Sequence, residues 1–148
     1  KLPVFKLLAK YVYITRFAEN LGALMAGGIP VVRALIITSE VVGNSVYAGI
    51  ILKAADEVKT GGSISTVFSR YPKEIPHIVS QMIRIGEETG STANVLEGVA
   101  QFYNQEVEVM TRNLTTLIEP LLIAILGLGV GILTVGVLLP IYNIAGQI

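Results

Sequence analysis

The feature that most constrains this chain is an uncharged apolar run from Leu121 to Leu139, bounded by Glu119-Pro120 on one side and Pro140-Ile141 on the other. Roughly 20 apolar residues, rising ~1.5 Å each in a helix, cover the ~30 Å hydrocarbon layer, and a helix satisfies its own backbone hydrogen bonds where water is absent. The run therefore reads as a transmembrane helix. The competing reading, a buried core helix of a soluble protein, fits poorly because core helices rarely go this long without a polar face.

Charge distribution supports the same division. Lys and Arg number 11, Asp and Glu number 11, and every one of them lies at or before Glu119, so the front of the chain is an ordinary water-facing domain. It carries no basic field for nucleic acid. Cysteine is absent, which excludes a disulfide scaffold and thiolate metal ligation. The boundaries read as a helical-bundle domain over 1–116, a membrane helix over 117–142 and a short tail over 143–148. Lys1, Lys6, Lys10, Arg16 and Arg112 precede the span, whereas Tyr142 to Ile148 holds no Lys or Arg. By the positive-inside rule the domain is cytoplasmic and the tail is not. The opening Lys1-Leu2-Pro3 lacks a signal pattern and reads as the start of a fragment.

Periodicity predicts an all-α, antiparallel bundle of about six helices, the last continuing into the membrane. The first runs over about Val4 to Met25, with Ile14, Phe17, Leu21 and Leu24 on one face, and stops at Gly27-Gly28. Pro30 opens a second, Val31 to Val42, apolar nearly all round and so expected to be central, with Gly43-Asn44 closing it. A third, Ser45 to Thr60, aligns Tyr47, Ile51, Ala54 and Val58 and ends at Gly61-Gly62. Ser63 caps a short fourth carrying Ile64, Val67 and Phe68. Pro76 opens the fifth, His77 to Glu88, with Ile78, Met82 and Ile85 expected inward and a break at Gly90. The sixth carries a seam of Leu96, Ala100, Tyr103, Val107, Met110, Leu114, Leu117 and Leu121, which predicts packing on the bundle that continues toward the bilayer. Arg112 to Glu119 offers no flexible linker, and Pro120 either kinks the path or starts a new helix.

Several motifs in this order resemble one family. They are Arg16-Phe17-Ala18, Gly28-Ile29-Pro30 with Ala34-Leu35, Val41-Val42-Gly43-Asn44, Met82-Ile83, Gly86-Glu87-Glu88-Thr89-Gly90, Ala100 with Tyr103, and Ile118-Glu119-Pro120 through Leu139-Pro140. Together they resemble the inner-membrane platform proteins of type II secretion systems and type IV pili, the GspF/PilC family. The resemblance departs at Thr92, where the family has Leu, and at Arg33, where an acidic residue is common. It implies a multi-pass protein of the bacterial inner membrane with two similar cytoplasmic helical domains, of which this chain corresponds to the second domain and the last span. It further implies a non-enzymatic scaffold without cofactors, coupling a cytoplasmic assembly ATPase to pilin or pseudopilin subunits among other inner-membrane assembly proteins. A channel or transporter segment is the alternative, but it needs more polar groups in the span than Thr134.

Two sets of residues are candidates for contact. Glu87, Glu88, Thr89 and Gly90 lie at a helix end, where the dipole disfavours carboxylates, so a partner is expected to hold them; the plainer reading is a solvated turn. In the span, Ala124, Gly127, Gly131 and Thr134 form a small-residue stripe with a G-x-x-x-G spacing that admits another helix, and Glu119 and Pro120 mark the membrane edge. A second copy is one such neighbour, giving a homo-oligomer, and lipid covers the rest. Gly86 within a helix predicts close packing by a neighbouring helix. No catalytic or metal constellation is present: His77 is the sole histidine and reads as a surface or capping residue, and no glycine loop carries the Lys-Ser/Thr pattern of a phosphate site.

Overall fold

The computed structural model describes residues 3–146, which fold into six helices with no strand among them. The helices are α1 (Pro3–Ala26), α2 (Val31–Val41), α3 (Ser45–Lys59), α4 (Ile64–Phe68), α5 (His77–Thr89) and α6 (Thr92–Ala145). They divide into two compact units, the first ending at Glu108 and the second beginning at Val109.

The punctuation works as its chemistry dictates. Positive φ at Gly28, Gly43, Gly61 and Gly90 ends α1, α2, α3 and α5. At Gly61 the left-handed turn sends the Gly61 N–H to the Val58 carbonyl (3.1 Å) and the Gly62 N–H to the Glu57 carbonyl (2.9 Å), which satisfies the last carbonyls of α3. Asn44, expected with Gly43 to close α2, belongs instead to the next helix: its Oδ1 accepts from Val46 N (2.9 Å) and Tyr47 N (3.3 Å). Ser63 caps α4 by accepting from Thr66 N at 3.2 Å. Pro30 and Pro76 stand one residue before α2 and α5, where a fixed φ helps and a missing donor costs nothing.

The core of the first unit gathers Ile14, Phe17, Ala18 and Leu21 of α1, Ala34 and Leu35 of α2, Ile50, Ile51 and Ala54 of α3, and Ile83, Leu96 and Val99 farther along. Phe17 and Phe68 meet edge to face with ring centroids 5.0 Å apart, each burying ~1.5–3 kcal/mol of apolar surface. Tyr11 meets Tyr103 edge to face, with ring centroids 5.0 Å apart, joining α1 to α6. Tyr47 donates its hydroxyl to the Glu74 carbonyl at 3.1 Å. Burial, with Glu74 and Tyr13 adding to it, pushes that phenol up to about 12, so it remains a protonated donor at neutral pH.

Three expectations change. Helix α2 is one-sided rather than central: Ala34, Leu35, Thr38 and Ser39 are buried, while Arg33, Glu40 and Val41 are exposed. Helix α5 is rotated from the expected face. Val79, Ile83 and Gly86 point inward, and Ile78 and Ile85 are 54% and 58% exposed, while Met82 of the expected row is half-buried against the core. Both rows have helical spacing; the inward one is selected because glycine lets α6 come close. A Cβ at Gly86 would lie 2.9 Å from Thr92 Cα and 3.1 Å from Val95 Cγ2. Third, the α6 seam is buried at Leu96, Ala100 and Tyr103, half-buried at Val107, and in the second unit ends with Leu117 and Leu121 exposed.

In the second unit α6 runs unbroken through Pro120 and Pro140, so Pro120 starts no new helix. This helix contains an 18-residue window of mean hydropathy 2.7, none of it buried, and is long and apolar enough to cross a membrane. A core helix would be covered by protein; here every residue from Thr115 to Gly146 is exposed.

Candidate functional site

The Glu87 side chain leaves the last turn of α5 and crosses to the first turn of α4. Its Oε1 accepts from Ile64 N at 2.6 Å, and its Oε2 accepts from Ser65 N at 3.2 Å and from Ser65 Oγ at 2.7 Å. With Ser63 Oγ taking Thr66 N, the first three amides of α4 all have acceptors. A five-residue helix is too short to hold itself, so this external carboxylate supplies what its own ladder cannot. The dipole of α5 disfavours a carboxylate here, but the N-terminus of α4 faces the same group and favours it.

The rest of the turn faces water. Glu88 accepts from Arg84 Nε at 3.0 Å in an exposed i, i+4 pair, worth little on its own. Thr89 is exposed, donates to the Ile85 carbonyl at 2.7 Å and sits 2.6 Å from Ser91 Oγ. Gly90 takes φ 68°, and the Ser91 N–H returns to the Gly86 carbonyl at 2.9 Å, reversing the chain into α6. The four residues named from the sequence thus split: Glu87 is turned into the chain, while Glu88, Thr89 and Gly90 form a surface. The intramolecular anchor could not be found by local pattern, because Ile64 and Ser65 lie 23 and 22 residues away from Glu87.

The second candidate set lies on α6. Ala124, Gly127, Gly131 and Thr134 are all exposed, and a Cβ at Gly127 or Gly131 would meet no atom within 4 Å. Thr134 Oγ1 donates to the Val130 carbonyl at 2.8 Å, so its hydroxyl is satisfied within the helix. Glu119 is exposed, one residue before Pro120, whose missing N–H leaves the Thr116 carbonyl without its usual partner. His77, read as a surface or capping residue, is the exposed first residue of α5, with Nε2 2.9 Å from Gln81 Nε2. Among the described residues no three His, Asp or Glu side chains converge.

Comparison with known proteins bears on the whole chain. The family described as type II secretion system (T2SS), protein F, matches residues 17–140. A type IV pilus assembly protein PilC of Thermus thermophilus is 38% identical over 148 residues, covering 100% of this chain and 36% of that protein. The PilC of Pseudomonas aeruginosa is 38% identical over 149 residues, covering 100% of this chain and 39% of its own length. A type II secretion system protein F of Xanthomonas campestris is 32% identical over 134 residues, 90% of this chain and 33% of the relative. The chain therefore spans about a third of the length of these relatives. A match reaching from the buried Phe17 to Pro140, on an all-helical fold with a long apolar last helix, shows that this chain belongs to the type II secretion system protein F family, which includes type IV pilus assembly proteins.

Proposed function

We propose that this chain is the second cytoplasmic domain and last membrane span of an inner-membrane platform protein, one that couples a cytoplasmic assembly ATPase to pilin or pseudopilin assembly without catalysis of its own. The observation that carries this is the dual character of α6. At Leu96, Val99, Ala100 and Tyr103 the helix is part of a polar-surfaced bundle's core, and after Glu119 it is apolar and uncovered. By the positive-inside rule the domain takes the cytoplasmic side of the membrane and the short tail the other. The ATPase contact is assigned to the exposed turn Glu88-Thr89-Gly90, with Glu87 fixing its position from behind. The face of Ala124, Gly127, Gly131 and Thr134 takes a neighbouring span or a second copy. Glu88→Lys tests the first assignment: it reverses a surface charge, touches only the exposed pair with Arg84, and is expected to weaken ATPase binding and filament or pseudopilus output while the unfolding midpoint stays put. Normal binding and output from a stably expressed Glu88→Lys protein contradict it.

A further inference from the structure

A cleft of about 500 Å³ opens between α4 and α5, with Ser65, Thr66 and Ser69 on one wall and Ser80, Arg84 and Glu88 on the other. Two hydroxyl protons of the α4 wall, those of Ser65 and Ser69, are spent inside the chain. Ser65 Oγ donates to Glu87 Oε2 at 2.7 Å, Ser69 Oγ donates to the Thr66 carbonyl at 2.8 Å, and Thr66 Oγ1 shares a 2.7 Å bond with Ser63 Oγ. At Ser65 and Ser69 this wall offers a ligand lone pairs.

The α5 wall holds a group with no partner at all. Ser80 is 4% exposed, lines the cleft, and its Oγ makes no hydrogen bond. A buried hydroxyl left unpaired is costly, and such groups in folded proteins generally have a partner. Charge points the same way: the carboxylates of Glu87 and Glu88 against the Arg84 guanidinium leave one negative charge at the cleft. Arg84 itself is exposed and held on the rim by Glu88 at 3.0 Å, so water screens its repulsion of an incoming cation.

An acceptor-rich, net negative cleft matches a donor-only group, and among side chains those are the lysine ammonium and the arginine guanidinium. We propose that this cleft is a socket for a basic side chain of a protein partner, with Ser80 Oγ accepting one of its N–H groups at the floor and Glu88 meeting its charge at the mouth. A partner's side chain, rather than a free ion, also brings flanking residues to the exposed rim of His77, Arg84 and Glu88. The socket goes beyond the assembly reading above and does not depend on which machine the chain serves.

The test is an amide NMR titration of the full chain in lipid nanodiscs with acetyl-Gly-Arg-Gly-amide, its citrulline counterpart and its Asp counterpart. The arginine peptide is expected to shift the resonances of Ser65, Ser69 and Ser80 saturably, with the citrulline peptide about tenfold weaker. Ser80→Ala should weaken the arginine peptide about tenfold while leaving the thermal midpoint equal or higher, since it deletes an unpaired hydroxyl. Glu88→Gln, on the rim, should weaken it with no change in midpoint. Equal binding of the citrulline peptide, binding of the Asp peptide at the same residues, absence of saturable shifts there, or undiminished binding by both variants would overturn the socket.

Discussion

Glu87 faces two helix ends at once, and the second one explains the first. Its carboxylate is placed at the end of α5, where its own helix disfavours it, because the amides of Ile64 and Ser65 wait across the gap. Glu87→Ala leaves those amides without their acceptor and should lower the unfolding free energy by about 2–3 kcal/mol, with faster hydrogen exchange at Ile64 and Ser65. Unchanged denaturant unfolding would mean the contact holds nothing. Gly86 is the matching case in packing. Alanine there gains up to ~1 kcal/mol in helix propensity but drives its Cβ to 2.9 Å from the Thr92 backbone, a collision costing ~1–3 kcal/mol. Thermal melts should find Gly86→Ala destabilised and Gly98→Ala, which meets open space, neutral or stabilised. The close approach at Gly86 was legible in the sequence as a glycine that a helix would otherwise reject. The purpose of Glu87 was not, since its acceptor role depends on a turn 22 residues earlier that only the fold brings near.

Helix positions came through best where punctuation is chemical. Glycine turns after α1, α3 and α5, the Ser63 cap, and the prolines before α2 and α5 all stand where their residue types demand. Which face of a helix turns inward is a weaker signal. In α5 the rows Ile78-Met82-Ile85 and Val79-Ile83-Gly86 have the same spacing, and side-chain size favours the first; the structure buries the second because the missing side chain is the contact, and of the first row only Met82 keeps a place against the core. The α6 stripe poses the same question, since small residues on a membrane-crossing helix matter by what they allow to approach. Gly131→Leu fills the space above the stripe and should reduce the oligomeric size of detergent-solubilised protein, or its association with a neighbouring span, without unfolding the bundle. Unaltered size and association, together with normal pilus or secretion output, would place the stripe against lipid.

For the molecule as a whole, two compact units share one helix, and the family match covers both. The apolar run and its charged neighbours made a helix long and apolar enough to cross a membrane legible from residue types alone, because length and polarity are its only requirements. The ordered motifs named the family, and the matched residues 17–140 bear that out. The motor contact rests on neither and needs its own measurement. The chain has no cysteine, so one introduced at Thr89, exposed on the turn beyond the Glu87 anchor, is unique within it. Carrying a photo-crosslinker at that position in intact cells, the full-length protein is predicted to capture the cytoplasmic assembly ATPase, and to lose that product when Glu88 is changed to Lys. Capture of only a second copy of the same protein, or no protein product while a crosslinker elsewhere on the domain still reacts, would contradict the assignment of this turn to the motor.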